Sequence, residues 1–515
     1  MTPHINRTDR FDSAPAKGTL PDQREPTLVQ PATGPLLALA ATSFIAHMLV
    51  AGNYGYFRDE LYYIADGRHL QAGYVDQPLL MGWLAALLRL LAGDGLIAIH
   101  VIPALACAAI IVITGLMARE LGGGRVAQLV AATTAFFTVI FMATGALFSM
   151  DVLDQLWWTL AGLVLLRLLR RNAPHLWLLL GVIVGAALLT KLTVLFFGLA
   201  LFLALLVTPE RRYLRTRWPY LAAVIAFLGL LPYLIWNASN GWPTWTFWHH
   251  YGGVGTGPLA FLAGQLGLMN PIAVPLAAVG LAFYFRRTGA RYRLLGWTFV
   301  FLYLILTLLR VKVYFLAPAY PLLYAPGAVV FERLRTRRWF AWTRPVYVAL
   351  LVLVGILLAP EVMPILSPAT TAHAYGTVLL ADRLGWQGLT RTVEQVYAAL
   401  PATERARACV LASNYGEAGA LQQLAPRGSL PPVISPHNNY FLWGPGTCNG
   451  SVLITIGYAP GDIPHVRALY THLALAATNR CQYCVEYERT LPIYVLSGAR
   501  RRIFPQLWPE LKHYD

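Results

Sequence analysis

Two adjacent carboxylates, Asp59 and Glu60, stand in the run Tyr56-Phe57-Arg58-Asp59-Glu60-Leu61-Tyr62-Tyr63, dense in charge and aromatic rings in a chain otherwise poor in charge. A second polar cluster, Gly73-Tyr74-Val75-Asp76-Gln77-Pro78, follows it. Beside hydrocarbon an ionised side chain needs a partner, a metal or water, so Asp59 and Glu60 form the candidate reaction centre. Other acids and bases stand at the ends of apolar runs: Asp151 and Asp154, Lys191, His249 and His250, Arg310 and Lys312. An aspartate can take a proton from a hydroxyl, and Lys and Arg at a membrane edge can hold a phosphate. That phosphate departs as an anion and needs no general acid.

Each residue also suits a plainer role. Asp59 and Glu60 favour a helix N-terminus through its dipole, and Asp151 suits a helix cap. Lys191, Arg310 and Lys312 suit interfacial anchoring by their long stems. His249 and His250 lie beside Trp242, Trp245 and Trp248, where an aromatic belt is favoured over a metal site.

The elements that position these residues follow from composition. With 57% hydrophobic residues, 12% charged and a mean hydropathy of +0.53 over 515 residues, the chain is a polytopic membrane protein. Its net charge of +16 does not point to nucleic acid, because Lys and Arg gather in short loops between apolar runs. Eleven runs approach the length of a membrane helix: 35–52, 95–118, 126–145, 151–169, 175–190, 192–208, 218–236, 259–285, 294–309, 315–332 and 345–360. Segment 78–93 is shorter and holds Arg89, which predicts an interfacial helix in the first outer loop.

Loop charge sets the orientation. With residues 1–34 as a disordered cytoplasmic tail, the inner loops carry the clusters Arg167, Arg170 and Arg171, Arg211 to Arg217, Arg286 to Arg293 and Arg333 to Arg338. The outer connections before the tail carry few, Arg58, Arg68, Lys191, Arg310 and Lys312 among them. The protein is then multi-pass in the cell membrane, and residues 361–515 lie outside as a separate domain. Apolar runs at 408–412, 451–456 and 493–496 read as strands, and 390–400 and 464–477 as helix-like, predicting a small α/β domain. Cys409, Cys448, Cys481 and Cys484 allow three pairings in an oxidising compartment. A four-thiolate zinc site is the rival, weakened by the presence of a single C-x-x-C.

The same topology gathers Asp59, Glu60, Asp76, Asp151, Asp154, Lys191, His249, His250, Arg310 and Lys312 on the outer face. At these residues the chain resembles the family 39-like glycosyltransferases of the GT-C superfamily, related to protein O-mannosyltransferases and lipid A aminoarabinose transferases. The resemblance rests on Phe57 to Tyr63, Gly73 to Pro78, Ser149-Met150-Asp151, Leu188 to Lys191, Tyr314 to Pro321, Asn414 to Ala420 and Asn438 to Pro445. It implies a GT-C transmembrane domain over 35–360 and an α/β domain over 361–515. The implied activity is an inverting sugar transfer from a polyprenyl-phosphate donor to a glycan, lipid or protein acceptor hydroxyl.

The resemblance implies Asp59 as general base, with Glu60 as its companion and Asp151 as a second catalytic acid. Lys191, Arg310 and Lys312 are implied on the donor-phosphate side; Tyr62, Asp76, Gln77, His249 and His250 are candidates for substrate binding. Metal dependence is left open, and a divalent cation held by Asp76 or Glu60 with an outer-loop histidine is the one cofactor suggested. Where the aminoarabinose branch has Glu-Lys before its loop proline, this chain has Asp76-Gln77-Pro78. A transporter or flippase for a lipid-linked sugar and a non-catalytic scaffold are the other readings. Against transport stand the one-sided site and the absence of repeated halves. Tyr415, Glu417, Asn438, Asn439, Tyr440 and Trp443 are types that bind sugars, so the outer domain either receives the acceptor or caps the site.

Overall fold

The computed structural model describes residues 29–251, 255–334, 342–376, 378–458, 469–499, 504 and 507–514. The expected tail at 1–34 lies almost wholly outside the described residues, as do Arg335, Arg337 and Arg338.

Among the described residues six helical stretches are long and apolar enough to cross a membrane: Thr33–Val50, Leu96–Glu120, Met150–Arg171, Trp218–Ser239, Arg287–Leu308 and Thr343–Val362. Four further crossings are bent, which raises the count to as many as ten. Arg125–Phe136 turns by 63° into Val139–Gly145, and Val194–Val207 by 108° into Pro209–Arg215. Pro258–Leu268 turns by 107° into Pro271–Phe285, and Val313–Ala319 by 52° into Pro321–Arg333. Proline opens the second member of three of these pairs, where its missing N–H does no harm to a new first turn. The eleventh run, 175–190, closes as the 13-residue helix Leu176–Leu188. All eleven predicted runs are therefore helical, but fewer of them are straight spans than a count of apolar residues implies. Segment 78–93 forms its own helix, Leu80–Leu91.

The C-terminal region holds one five-stranded sheet in the order β2-β1-β3-β5-β4. These strands are β1 (Ala408–Leu411), β2 (Val433–Ile434), β3 (Val452–Ile456), β4 (Tyr470–Arg480) and β5 (Thr490–Ala499). β1 runs parallel to β2 and β3, while β5 is antiparallel to β3 and β4. The predicted strands and the helix at 390–400, observed as Trp386–Ala399, are present. The predicted helix at 464–477 is not: its described part is β4, paired along β5 from Tyr470 to Arg480. The Leu and Ala spacing there fits either period, and the partner strand decides it. Cys409 is bonded to Cys448 and Cys481 to Cys484, so the thiolates of the zinc alternative are used up.

One core joins this sheet to the first loop. Leu61, Tyr62 and Ile64 pack in the same buried cluster as Val410, Ile454 and Leu421. The helix Arg58–Arg68 is thus covered on nearly every side, with Glu60 to Gly67 all buried. Its neighbour Tyr415–Leu424 comes close because Gly419 has no side chain: a Cβ there falls 2.9 Å from Leu61 Cβ.

Candidate active site

The loop between the first two transmembrane elements is held from below and above. Glu60 Oε2 accepts from Phe57 N at 2.8 Å, closing the first turn of Arg58–Arg68. Its other oxygen lies 2.8 Å from His100 Nε2 and accepts from Phe148 N at 2.8 Å. Arg383 stands 3.9 Å away and donates to Ala146 O at 2.6 Å. Burial alone raises a carboxyl group, but the His100 ring, Arg383 and the Phe148 N–H outweigh it and hold Glu60 below its ordinary value. The second cluster turns over Tyr74 to Gln77, where Tyr74 N donates to Gln77 O at 2.9 Å, and Gly73 packs so close that a Cβ there falls 2.5 Å from the Tyr233 ring. Asp66 anchors it, accepting from Gln77 Nε2 at 2.8 Å and from Asn439 Nδ2 at 2.7 Å.

So braced, the loop presents Asp59 and Asp76 to a cavity of about 760 Å³. Tyr415 Oη donates to Asp59 Oδ1 at 2.8 Å, and Tyr62 Oη donates to Asp76 Oδ1 at 3.0 Å. Tyr62 and Tyr415 stack on each other with centroids 4.4 Å apart. Enclosure raises Asp59, with Arg58, Tyr415 and Lys312 opposing and Asp151 adding to it. Enclosure also pushes Asp76 up to about 7, against the Tyr62 hydrogen bond. Arg58 lies 3.2 Å from Asp382 and over the rings of Tyr415 and Tyr487.

Across the cavity Lys191 sits at the break between Leu176–Leu188 and Val194–Val207, where Thr190 accepts from Trp157 Nε1 at 3.0 Å. Its ammonium pairs with Asp151 and lies 4.6 Å from the Phe315 ring centroid. Asp151 is in the first turn of Met150–Arg171. Lys312 completes this basic side, and Ile140, Leu147, Leu192 and Phe315 line the apolar part. Acids, cations and an apolar wall therefore share one cavity. A lipid-linked phosphate needs that combination, with cations for the head and an apolar wall for the tail.

Seven of the predicted residues meet here: Asp59, Asp76, Asp151, Lys191 and Lys312, with Tyr415 and Asn438 from the C-terminal region. The others do not line the cavity. Glu60 is sealed by its four neighbours, and Tyr62 and Gln77 are buried behind the lining, bracing Asp76 and Asp66. Arg310 is exposed outside it, at a positive φ of 48°. His249 and His250 point outward from the helix Pro243–Tyr251, while Phe247 and Trp248 on the same helix line the cavity. Beyond Tyr415 and Asn438, the C-terminal region adds Asn414, His437, Tyr487 and His513, brought in by long-range packing.

The suggested cation does not fit these residues. Glu60 has both oxygens engaged, the outer histidines face away, and among the described residues no group of three or more His, Cys, Asp or Glu side chains is arranged to hold a metal.

A family model described as dolichyl-phosphate-mannose-protein mannosyltransferase matches residues 76–236. The lipid A galacturonosyltransferase RgtD of Rhizobium johnstonii is 28% identical over 252 residues, 47% of this chain and 53% of that protein. The chain thus spans about half the length of the curated relative it matches. Among solved structures, ArnT of Cupriavidus metallidurans in the apo state has a TM-score of 0.62 at 16% identity, covering 92% of this chain and 100% of that one. The same protein bound to undecaprenyl phosphate scores 0.58 at 16% identity, over 91% of this chain and 100% of that one. With a mostly helical bundle and a small C-terminal sheet, the chain shares the fold of ArnT, and over residues 76–236 it is similar to the dolichyl-phosphate-mannose-protein mannosyltransferase family.

Proposed function

We propose that this chain is an inverting glycosyltransferase that moves a sugar from a polyprenyl-phosphate donor to an acceptor hydroxyl. The observation that carries the reading is the single cavity shared by Asp59, Asp76, Lys191, Lys312 and an apolar wall. The undecaprenyl phosphate bound by ArnT and the lipid A acceptor of RgtD supply the chemical classes. Asp59 takes the acceptor proton as the acceptor oxygen bonds to the anomeric carbon. The bond from that carbon to the phosphate oxygen breaks on the opposite face, inverting the centre. Polyprenyl phosphate leaves with its added negative charge against Lys191 and Lys312. A base enclosed by protein and raised in basicity is well matched to this step.

Asp151 pairs with Lys191 and holds it at the cavity wall, where the ammonium can meet the donor phosphate. In this reading the site faces outward, with residues 1–34 cytoplasmic and 361–515 as an extracytoplasmic domain, supported by the arginine-rich loops on the other side. The test is Asp59→Asn in reconstituted membranes with a radiolabelled polyprenyl-phosphate sugar. Transfer falls by about 100-fold or more with membrane insertion intact. Unchanged transfer removes Asp59 from the mechanism.

A further inference from the structure

We propose that Tyr415, supplied by the C-terminal α/β region, is the positioning residue of the base: it fixes which oxygen of Asp59 remains open to the acceptor. This inference rests on the reading of Asp59 as base. It also goes beyond the choice between receiving the acceptor and capping the site, because it makes the C-terminal region part of the reaction centre.

The geometry is over-determined. Tyr415 Oη donates to Asp59 Oδ1 at 2.8 Å. The ring that carries this hydroxyl stacks on Tyr62, with centroids 4.4 Å apart, and lies against His437 at 4.8 Å. The Arg58 guanidinium stands over it at 5.7 Å. The backbone is pinned as well: Tyr415 N donates to His437 Nδ1 at 3.3 Å, and Asn414 Oδ1 caps the helix by accepting from Glu417 N at 3.0 Å. A hydroxyl held from so many sides cannot follow a swinging carboxylate, so the carboxylate must follow the hydroxyl. With Oδ1 engaged, Oδ2 is left to meet the acceptor proton.

Charged and titratable groups face Asp59 from every element packed against it. Arg58 is on its own helix, Tyr63 one turn on, and Asp76 in the following loop. Asp151 and Lys312 lie on the membrane side, and Tyr415, Asp382 and Tyr487 on the C-terminal side. Tyr415 hydrogen-bonds the carboxylate directly, and that bond favours its charged form. Removing the bond raises the titration midpoint of Asp59.

The experiment follows the Asp59 carboxyl by isotope-edited infrared titration in nanodiscs, its band assigned by loss in Asp59→Asn, alongside sugar transfer. In Tyr415→Phe the ring stack is kept and only the hydroxyl goes. The expected result is a midpoint raised by about one pH unit, kcat down about tenfold, donor KM little changed, and the acidic limb of kcat/KM moved up by the same amount. Tyr415→Phe has no further effect in the Asp59→Asn background. An unmoved infrared midpoint in Tyr415→Phe overturns the inference. A shifted midpoint combined with full transfer by Asp59→Asn keeps the positioning and removes the base reading instead.

Discussion

Glu60 and Asp59 are neighbours in sequence and opposites in environment. Glu60 turns inward to the Phe57 and Phe148 N–H groups and the His100 ring, whereas Asp59 turns to the cavity and to Tyr415. Adjacent helical residues point about 100° apart, so a paired motif divides between bracing and chemistry. Glu60→Gln keeps the shape but loses the charge, and a buried pair broken on one side costs about 3–5 kcal/mol. Because Glu60 is held below its unfolded value, its contribution is present above that value and fades as pH falls through the folded one. Thermal unfolding in detergent should therefore show a large deficit for Glu60→Gln at pH 7 that narrows below about pH 4.

Asp76 has the opposite sign. Its folded value near 7 exceeds the unfolded one, so the native state binds more protons between them and loses stability as pH rises through that window. Asp76→Asn should melt higher than the parent at pH 8 by about 1–2 kcal/mol, with cavity water reducing the full effect, and equally at pH 4. Transfer should fall in exchange. Both acids were visible as types in the sequence, but their signs were not, since only packing decides which carboxylate is paired and which is merely enclosed.

At the scale of elements, the apolar runs were legible because twenty residues without charge have few other fates. Their bends were less so, and β4 was read as helix because its alternation matters only once β5 lies beside it. The cysteine pairing was likewise open. The bond from Cys409 in β1 to Cys448 closes a separation of 39 residues, which by chain entropy stabilises the fold by about 4 kcal/mol. Cys409→Ser with Cys448→Ser should lower the melting temperature clearly. Removing Cys481 and Cys484, separated by 3, should have a smaller effect. Equal losses would argue against the entropic account.

Over the whole molecule, the cavity is built from the first loop, two breaks in the membrane bundle and the C-terminal sheet region together. The proposed orientation makes a direct prediction. A membrane-impermeant thiol reagent applied to intact cells should label Ser429→Cys, in the C-terminal region, and leave Arg215→Cys, in an arginine-rich loop, unmodified. Labelling of Arg215→Cys alone would reverse the topology.

By itself the sequence determined that the chain is a helical membrane bundle with arginine-rich loops, and its loop charge led to the expectation of an outer face that gathers Asp59, Asp76, Asp151, Lys191 and Lys312 together with Glu60, Asp154, His249, His250 and Arg310. Hydropathy and loop charge act locally and are written residue by residue. Only the tertiary structure decided that Phe247 and Trp248 face the cavity while His249 and His250 do not, that Arg310 stays outside, and that Tyr415 reaches Asp59 from 356 residues away. Those choices depend on which faces pack together, and packing between distant segments leaves no periodic trace in the chain.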